Sequence, residues 1–171
     1  FAGYFDPAHW RAHTPAAKVV PNMRRVATMT VADANKKIML QHDKLLDSLV
    51  AGLLLDDDNP RRGQASADAL QETCAGVLHE LALYAPGADK LRAHSRTMDA
   101  LRLLAEAGTK ESRERARGAL FELDELERSR ERGAADSTGL VGSSKPPPHI
   151  MVSYNWDHQD VILRVVAWLQ A

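Results

Sequence analysis

CAGVLHEL, Cys74 to Leu81, and ARGALFEL, Ala116 to Leu123, are two spellings of one helical pattern. Gly76 falls on Gly118, Leu78 on Leu120, Glu80 on Glu122 and Leu81 on Leu123, each 42 residues further on. A second pair of stretches, QHDKLLDSL from Gln41 to Leu49 and AHSRTMDAL from Ala93 to Leu101, sets His42 on His94, Asp47 on Asp99 and Leu49 on Leu101 at a spacing of 52. The longer spacing is absorbed by the polar stretch DDDNPRRGQASA between Asp56 and Ala67, which carries Pro60 and Gly63 and reads as an extended loop. Carried back once more, it places Val26 and Met29 under Leu78 and Leu81. Self-similarity at a period of about 20–50 residues is the signature of a repeat architecture. Residues 20–132 therefore read as about two and a half copies of one helical unit of roughly 42 residues, after an N-terminal extension over residues 1–19.

Each unit reads as three helices. Leu70, Cys74, Val77, Leu78 and Leu81 recur at intervals of three and four, the single apolar stripe of a long helix over about Asp68 to Tyr84. Pro86-Gly87 is expected to end it, because proline cannot continue a helix and glycine accepts the left-handed turn that closes one. A short helix is expected near Ala88 to His94 and another from Thr97 to Ala107, stopped by Gly108. Thr109 or Ser112 then caps a long helix carrying Ala116, Ala119, Leu120, Leu123 and Leu126. Gly76 and Gly118 sit inside helices, where glycine costs about 1 kcal/mol relative to alanine, and their recurrence suggests a close helix crossing.

Composition limits what such a chain does. Its 171 residues are 44% hydrophobic, 26% charged and 5% aromatic, enough apolar content for a packed core. The net charge of −1 gives no global basic excess for nucleic acid. No apolar run approaches the roughly 20 residues of a membrane span. One cysteine, Cys74, excludes an internal disulfide framework and a multi-cysteine zinc site. The first residue is Phe and no signal-peptide pattern follows, so the chain reads as a piece of a longer protein in a cytoplasmic setting.

The aromatic residues are unevenly placed. Between Val20 and Glu125 stand only Tyr84 and Phe121, whereas Tyr154, Trp156 and Trp168 crowd the C-terminal end. Between the two regions, residues 133–148, GAADSTGLVGSSKPPP, read as a Gly/Ser/Pro linker that stiffens into polyproline geometry. Beyond it, His149 to Tyr154 is a short apolar run expected to form a buried strand. From Asp157, a candidate N-cap, Val161, Ile162, Val165, Val166 and Leu169 trace an amphipathic helix. A lone strand leaves its backbone groups without partners, so residues outside this sequence are expected to complete the sheet.

Two resemblances follow from these residues. ADALQETCAGVLHELALYAPGADKLRAHSRTMDALRLLAEAG and the ESRERARGALFELDEL after it resemble the armadillo-repeat family, with HEAT-type and irregular helical repeats as alternatives. That resemblance implies a mostly α fold, an armadillo-like right-handed solenoid that binds protein partners along a groove lined by successive third helices. HIMVSYNWDHQDVILRVVAWLQ is similar to the opening of a TIR domain, an α/β flavodoxin-like fold, and residues 149–171 cover its first strand and first helix alone. The order of the two resembles proteins in which an armadillo array regulates a C-terminal TIR domain, NAD⁺ hydrolases among them. It implies either homotypic TIR–TIR assembly in signalling or NAD⁺ cleavage through a glutamate on a later helix. In enzymatic relatives the loop after the first strand lines the nucleotide pocket; the matching residues are Tyr154, Asn155 and Trp156, where Asn and Trp replace a basic pair. The glutamate region is absent here, so no catalytic residue and no cofactor is expected in this stretch itself, with NAD a substrate of the whole protein. The alternative reading is an armadillo-type scaffold docking into a large assembly without enzymatic activity.

Other chemical signals weigh less. His9 and His13 are four apart, as metal ligands on a helix are, but HWRAH lacks the glutamate of HExxH and prolines bracket it, so no metal site is expected. His42 and His94 share a repeat position and read as structural residues at the end of a short helix. Cys74 reads as a buried small hydrophobe. Asp56 to Asp58 read as a solvated loop tip. The run from Lys110 to Arg132 alternates sign and reads as a solvated helix face, or else as a surface for a partner.

Overall fold

The computed structural model describes residues 14–138, with side chains as far as Arg132. The chain clusters into two units, residues 1–136 and 137–171, and nearly all described residues belong to the first. The expected strand and helix of residues 149–171 lie outside the described residues. Among those that are described, seven helices and no strand occur, so the fold is mostly α.

The helices are α1 (Ala16–Met29), α2 (Asp33–Met39), α3 (Leu45–Gly52), α4 (Ala67–Ala82), α5 (Ala85–Ala93), α6 (Thr97–Ala107) and α7 (Lys110–Thr138). Their starts carry the sequence spacing into three dimensions. Helices α2 and α5 begin at residues 33 and 85, and α3 and α6 at 45 and 97, both 52 apart. Each element also packs on its counterpart: α1 on α4, α2 on α5, α3 on α6. The stripe of α4 is fully buried at Leu70, Cys74, Val77, Leu78 and Leu81, as are Ala116, Ala119 and Leu123 on α7.

Two expectations need correction and one open alternative is decided. Pro86-Gly87 does not end the long helix. The break is at Leu83–Tyr84, where Tyr84 is extended, and Pro86 lies in the first turn of α5, the part of a helix where a missing N–H costs nothing. Thr109, not Ser112, caps α7: its hydroxyl accepts the Ser112 N–H at 3.2 Å, while Ser112 is fully buried. The equivalence of Met29 and Leu81 fails in burial, since Met29 is 49% exposed and Leu81 is fully buried. The surroundings of the two backbone carbonyls differ as well. Gly87 brings the backbone of α5 against the Leu81 carbonyl, where no Cβ fits. Asn35, the residue 52 positions before Gly87, instead donates its side-chain amide to the Met29 carbonyl at 3.0 Å. A side chain thus fills the space in the first unit that bare backbone fills in the second.

The two helical glycines also differ. At Gly118 a Cβ would stand 2.8 Å from His79 Nε2, so α7 crosses α4 closely there. Around Gly76 there is open space, and the expected crossing is absent. Helix α1 starts four residues before the predicted repeat region and accommodates Pro21 on its exposed side. Helix α7 runs on through residues 133–138, the first part of the predicted linker.

Candidate interaction surfaces

Chemistry at a buried centre has little to work with in the described residues. No group of three His, Cys, Asp or Glu side chains there could hold a metal ion. The Cys74 thiol is fully buried and burial pushes its pKa up to about 12, so it stays protonated and inert as a nucleophile. His94 Nε2 lies 3.1 Å from Asp47 Oδ1 and its Nδ1 lies 2.8 Å from Thr97 Oγ1. This carboxylate–imidazole–hydroxyl line imitates a catalytic relay, but Thr97 is fully buried at the start of α6, beyond the reach of a substrate. The line instead ties α3 to the α5–α6 turn. His42, its counterpart in the first unit, is exposed, and the position matching Thr97 is Leu45. Tyr154, Asn155, Trp156, His9 and His13 lie outside the described residues.

The extended loop between α3 and α4 is a built structure. Asn59 donates to the Ala51 carbonyl at 3.1 Å and accepts the Arg61 N–H at 3.1 Å. Arg61, 1% exposed, donates through Nε to the Thr14 carbonyl at 2.8 Å, and burial lowers its pKa. Gln64 Oε1 accepts the Ala16 N–H at 3.0 Å, satisfying one of the open donors at the start of α1. Gln71 on α4 donates to the Leu53 carbonyl at 2.7 Å and accepts from Thr109 N–H and the Ser112 hydroxyl. The loop therefore braces the beginning of α1, and Gln71 of α4 braces that of α7. Leu54, Gly63 and Ser66 adopt left-handed backbone, at φ of 55°, 76° and 70°. For Leu54 and Ser66 this costs on the order of 1–2 kcal/mol each.

The braced loop forms one wall of a groove whose other wall is α6. The groove holds two cavities of about 260 and 560 Å³ that share Leu55 and Leu103. Asp56, Asp57, Asp68 and Asp99 line it against only Arg62 and Arg96. Both cations are engaged, Arg96 with Asp56 at 3.3 Å and Arg62 with Asp57. The Asp56–Asp58 tip is thus a partly paired acidic rim rather than a purely solvated one.

At the other end of α1 the charge is opposite. Between residues 14 and 42 the one acidic residue is Asp33, which pairs with the buried Lys36 at 3.0 Å. Lys36 also stands 4.0 Å from Glu80 and 5.9 Å from the centre of the Tyr84 ring. Lys18, Arg24, Arg25 and Lys37 are exposed. Beside them the α1–α2 corner exposes Met29, Val31 and Ile38, the last two 73% and 66% open.

The charged run on α7 is only in part a solvated face. Arg130 donates to both carboxylate oxygens of Asp89 on α5, Nη2 to Oδ2 at 3.0 Å, and the arrangement lowers the carboxyl pKa and raises that of the guanidinium. Arg92 of α5 reaches Glu127 at 3.5 Å and donates to the Leu123 carbonyl. This seam clamps the second half of α7 onto the short helix before it. No described helix is long and apolar enough to cross a membrane. No family model, curated protein or solved structure matches this chain.

Proposed function

We propose that the helical units form an armadillo-type right-handed solenoid, serving as the protein-interaction and regulatory segment of an armadillo–TIR signalling protein. The observation that supports this most directly is the pairing of α1, α2 and α3 with α4, α5 and α6, each helix on its counterpart. A unit that buries its apolar face only against the next copy of itself is the energetic basis of a solenoid. The described residues supply packing and polar clamps rather than an activated nucleophile, which fits a binding and regulatory role. The TIR part rests on the sequence from His149 onward, where the resemblance matches Tyr154, Asn155 and Trp156 to the loop that lines the nucleotide pocket of enzymatic relatives.

The test is to incubate the natural full-length protein with NAD⁺ and follow nicotinamide release, with and without agents that force oligomerisation. Release that rises on oligomerisation is the expected result. If no condition yields nicotinamide, the enzymatic reading fails, and a scaffold that works through its helical units is the better account.

A further inference from the structure

We propose that the chain associates head to tail with a second copy of itself, the cationic α1–α2 corner of one protomer seating in the acidic groove between the α3–α4 loop and α6 of the next. Both halves of the contact are present on one molecule. The corner offers Arg24, Arg25 and Lys37 around Met29, Val31 and Ile38. The groove offers Asp68 beside Asp56, Asp57 and Asp99, which pair with Arg96, Arg62 and Arg102, with Leu55 and the 48% exposed Leu103 also in its lining. Among the described residues Arg24, Arg25 and Lys37 make no ion pair, whereas the buried Lys36 on the same corner pairs with the exposed Asp33 and the part-exposed Glu80. The net charge of the chain is only −1, so attraction here comes from separation of charge between two surfaces, not from total charge. Met29, Val31 and Ile38 are also half of the large hydrophobic side chains exposed among the described residues, gathered within ten positions, and such clustering marks contact sites.

A protomer cannot satisfy its own groove. The loop that walls the groove is fastened to the start of α1 through Thr14 and Ala16, while the corner lies at the end of that helix. Fourteen residues of helix hold the two about 21 Å apart. Joined head to tail, each bound pair keeps one free corner and one free groove, so assembly proceeds to chains. The left-handed residues and buried hydrogen bonds of the loop keep the groove preformed, which lowers the ordering cost of association.

Sedimentation velocity of the 171-residue chain from micromolar to near-millimolar concentration tests this directly. At about 0.05 M salt the average mass should climb above the 18.8 kDa of the monomer, and at about 0.5 M salt it should fall back towards that value. Ile38→Asn and Leu103→Asn, both at exposed positions, should each weaken self-association about tenfold or more with helix content unchanged. The decisive arm mixes the two variants. Each retains one intact surface, so the mixture should form a one-to-one complex and grow no further. A chain that stays monomeric at low salt overturns the proposal. So does association that neither variant weakens, or variants that fail to complement each other. Association through TIR contacts would be insensitive to both substitutions, so this failure is distinct from that of the proposed function.

Discussion

Gly76 and Gly118 occupy the same place in two successive units, yet substitution at them should have opposite effects. A Cβ at position 76 meets nothing within 4 Å, so Gly76→Ala should raise stability by about 0.5–1 kcal/mol through helix propensity alone. At position 118 the same atom meets the His79 ring at 2.8 Å, so a branched side chain must displace that imidazole. Gly118→Val should cost about 1–3 kcal/mol by overpacking. Urea unfolding of the two variants gives the sign of each; stabilisation at both positions would mean that α4 and α7 do not cross closely. Cys74 permits a second test at this scale. Its thiol is held neutral by burial up to about pH 12, whereas the unfolded chain ionises near its ordinary value of 9.0. The folded pKa is the higher one, so the contribution is fully present below pH 9 and is lost as pH rises from there towards 12. The Cys74→Ala variant, although less stable overall, should lack this alkaline decline, and thiol-labelling of the parent chain should occur only at the rate of unfolding.

At the level of elements, α7 is held in two ways along its length. Its first half is buried through Ala116, Ala119 and Leu123, whereas its second half depends on the charged seam to Asp89 and Arg92 of α5. Arg130 holds the Asp89 carboxyl below its ordinary range, first through the hydrogen bond and then through its charge, with Arg92 adding to it. A depressed carboxyl pKa stabilises the folded arrangement above the unfolded value near 4 and ceases to do so as pH falls through the folded one. Amide exchange over residues 124–132 should therefore speed up below about pH 4 and in high salt, while residues 112–120 stay protected. An Asp89→Asn variant should show the fast behaviour already at neutral pH. The spacing of like residues anticipated these elements well, because a helical stripe and its copies follow directly from periodicity. What periodicity did not reveal was partnership. Alternating signs in ERSRERG read as a solvated face, since nothing local tells Arg130 that Asp89 lies beside it. DDDNPRRGQASA read as an open loop because the buried Arg61, the Asn59 bridge and the Gln64 brace are all contacts between distant residues. The start of α1 fell before the repeat boundary read at residue 20, and the helix carries Pro21 in its interior, where proline costs about 3 kcal/mol unless tertiary packing carries it.

The whole set of described helices stands or falls on whether stability is distributed as in a stack of units. Helix α4 touches both flanking long helices, α1 through direct packing and α7 through Gly118 and Gln71. Leu81 of α4 and Leu123 of α7 are equivalent in the repeat and equally buried, so truncation of either to alanine should cost about 2–5 kcal/mol locally. Their reach should differ. In a nearest-neighbour stack the middle unit couples to everything and a terminal unit only to its neighbour. Leu81→Ala should accelerate amide exchange throughout α1 to α7, because both flanking long helices lose their common support. Leu123→Ala should release α7 and leave α1, α2 and α3 within about 0.5 kcal/mol of the parent protection. Uniform loss of protection in both variants would instead describe a single two-state core, in which the recurrence of helix starts at 33 and 85 and at 45 and 97 carries no energetic meaning. The two outcomes differ in pattern as well as in size, so hydrogen exchange on this pair decides whether the repetition visible in the sequence is also how the molecule holds together.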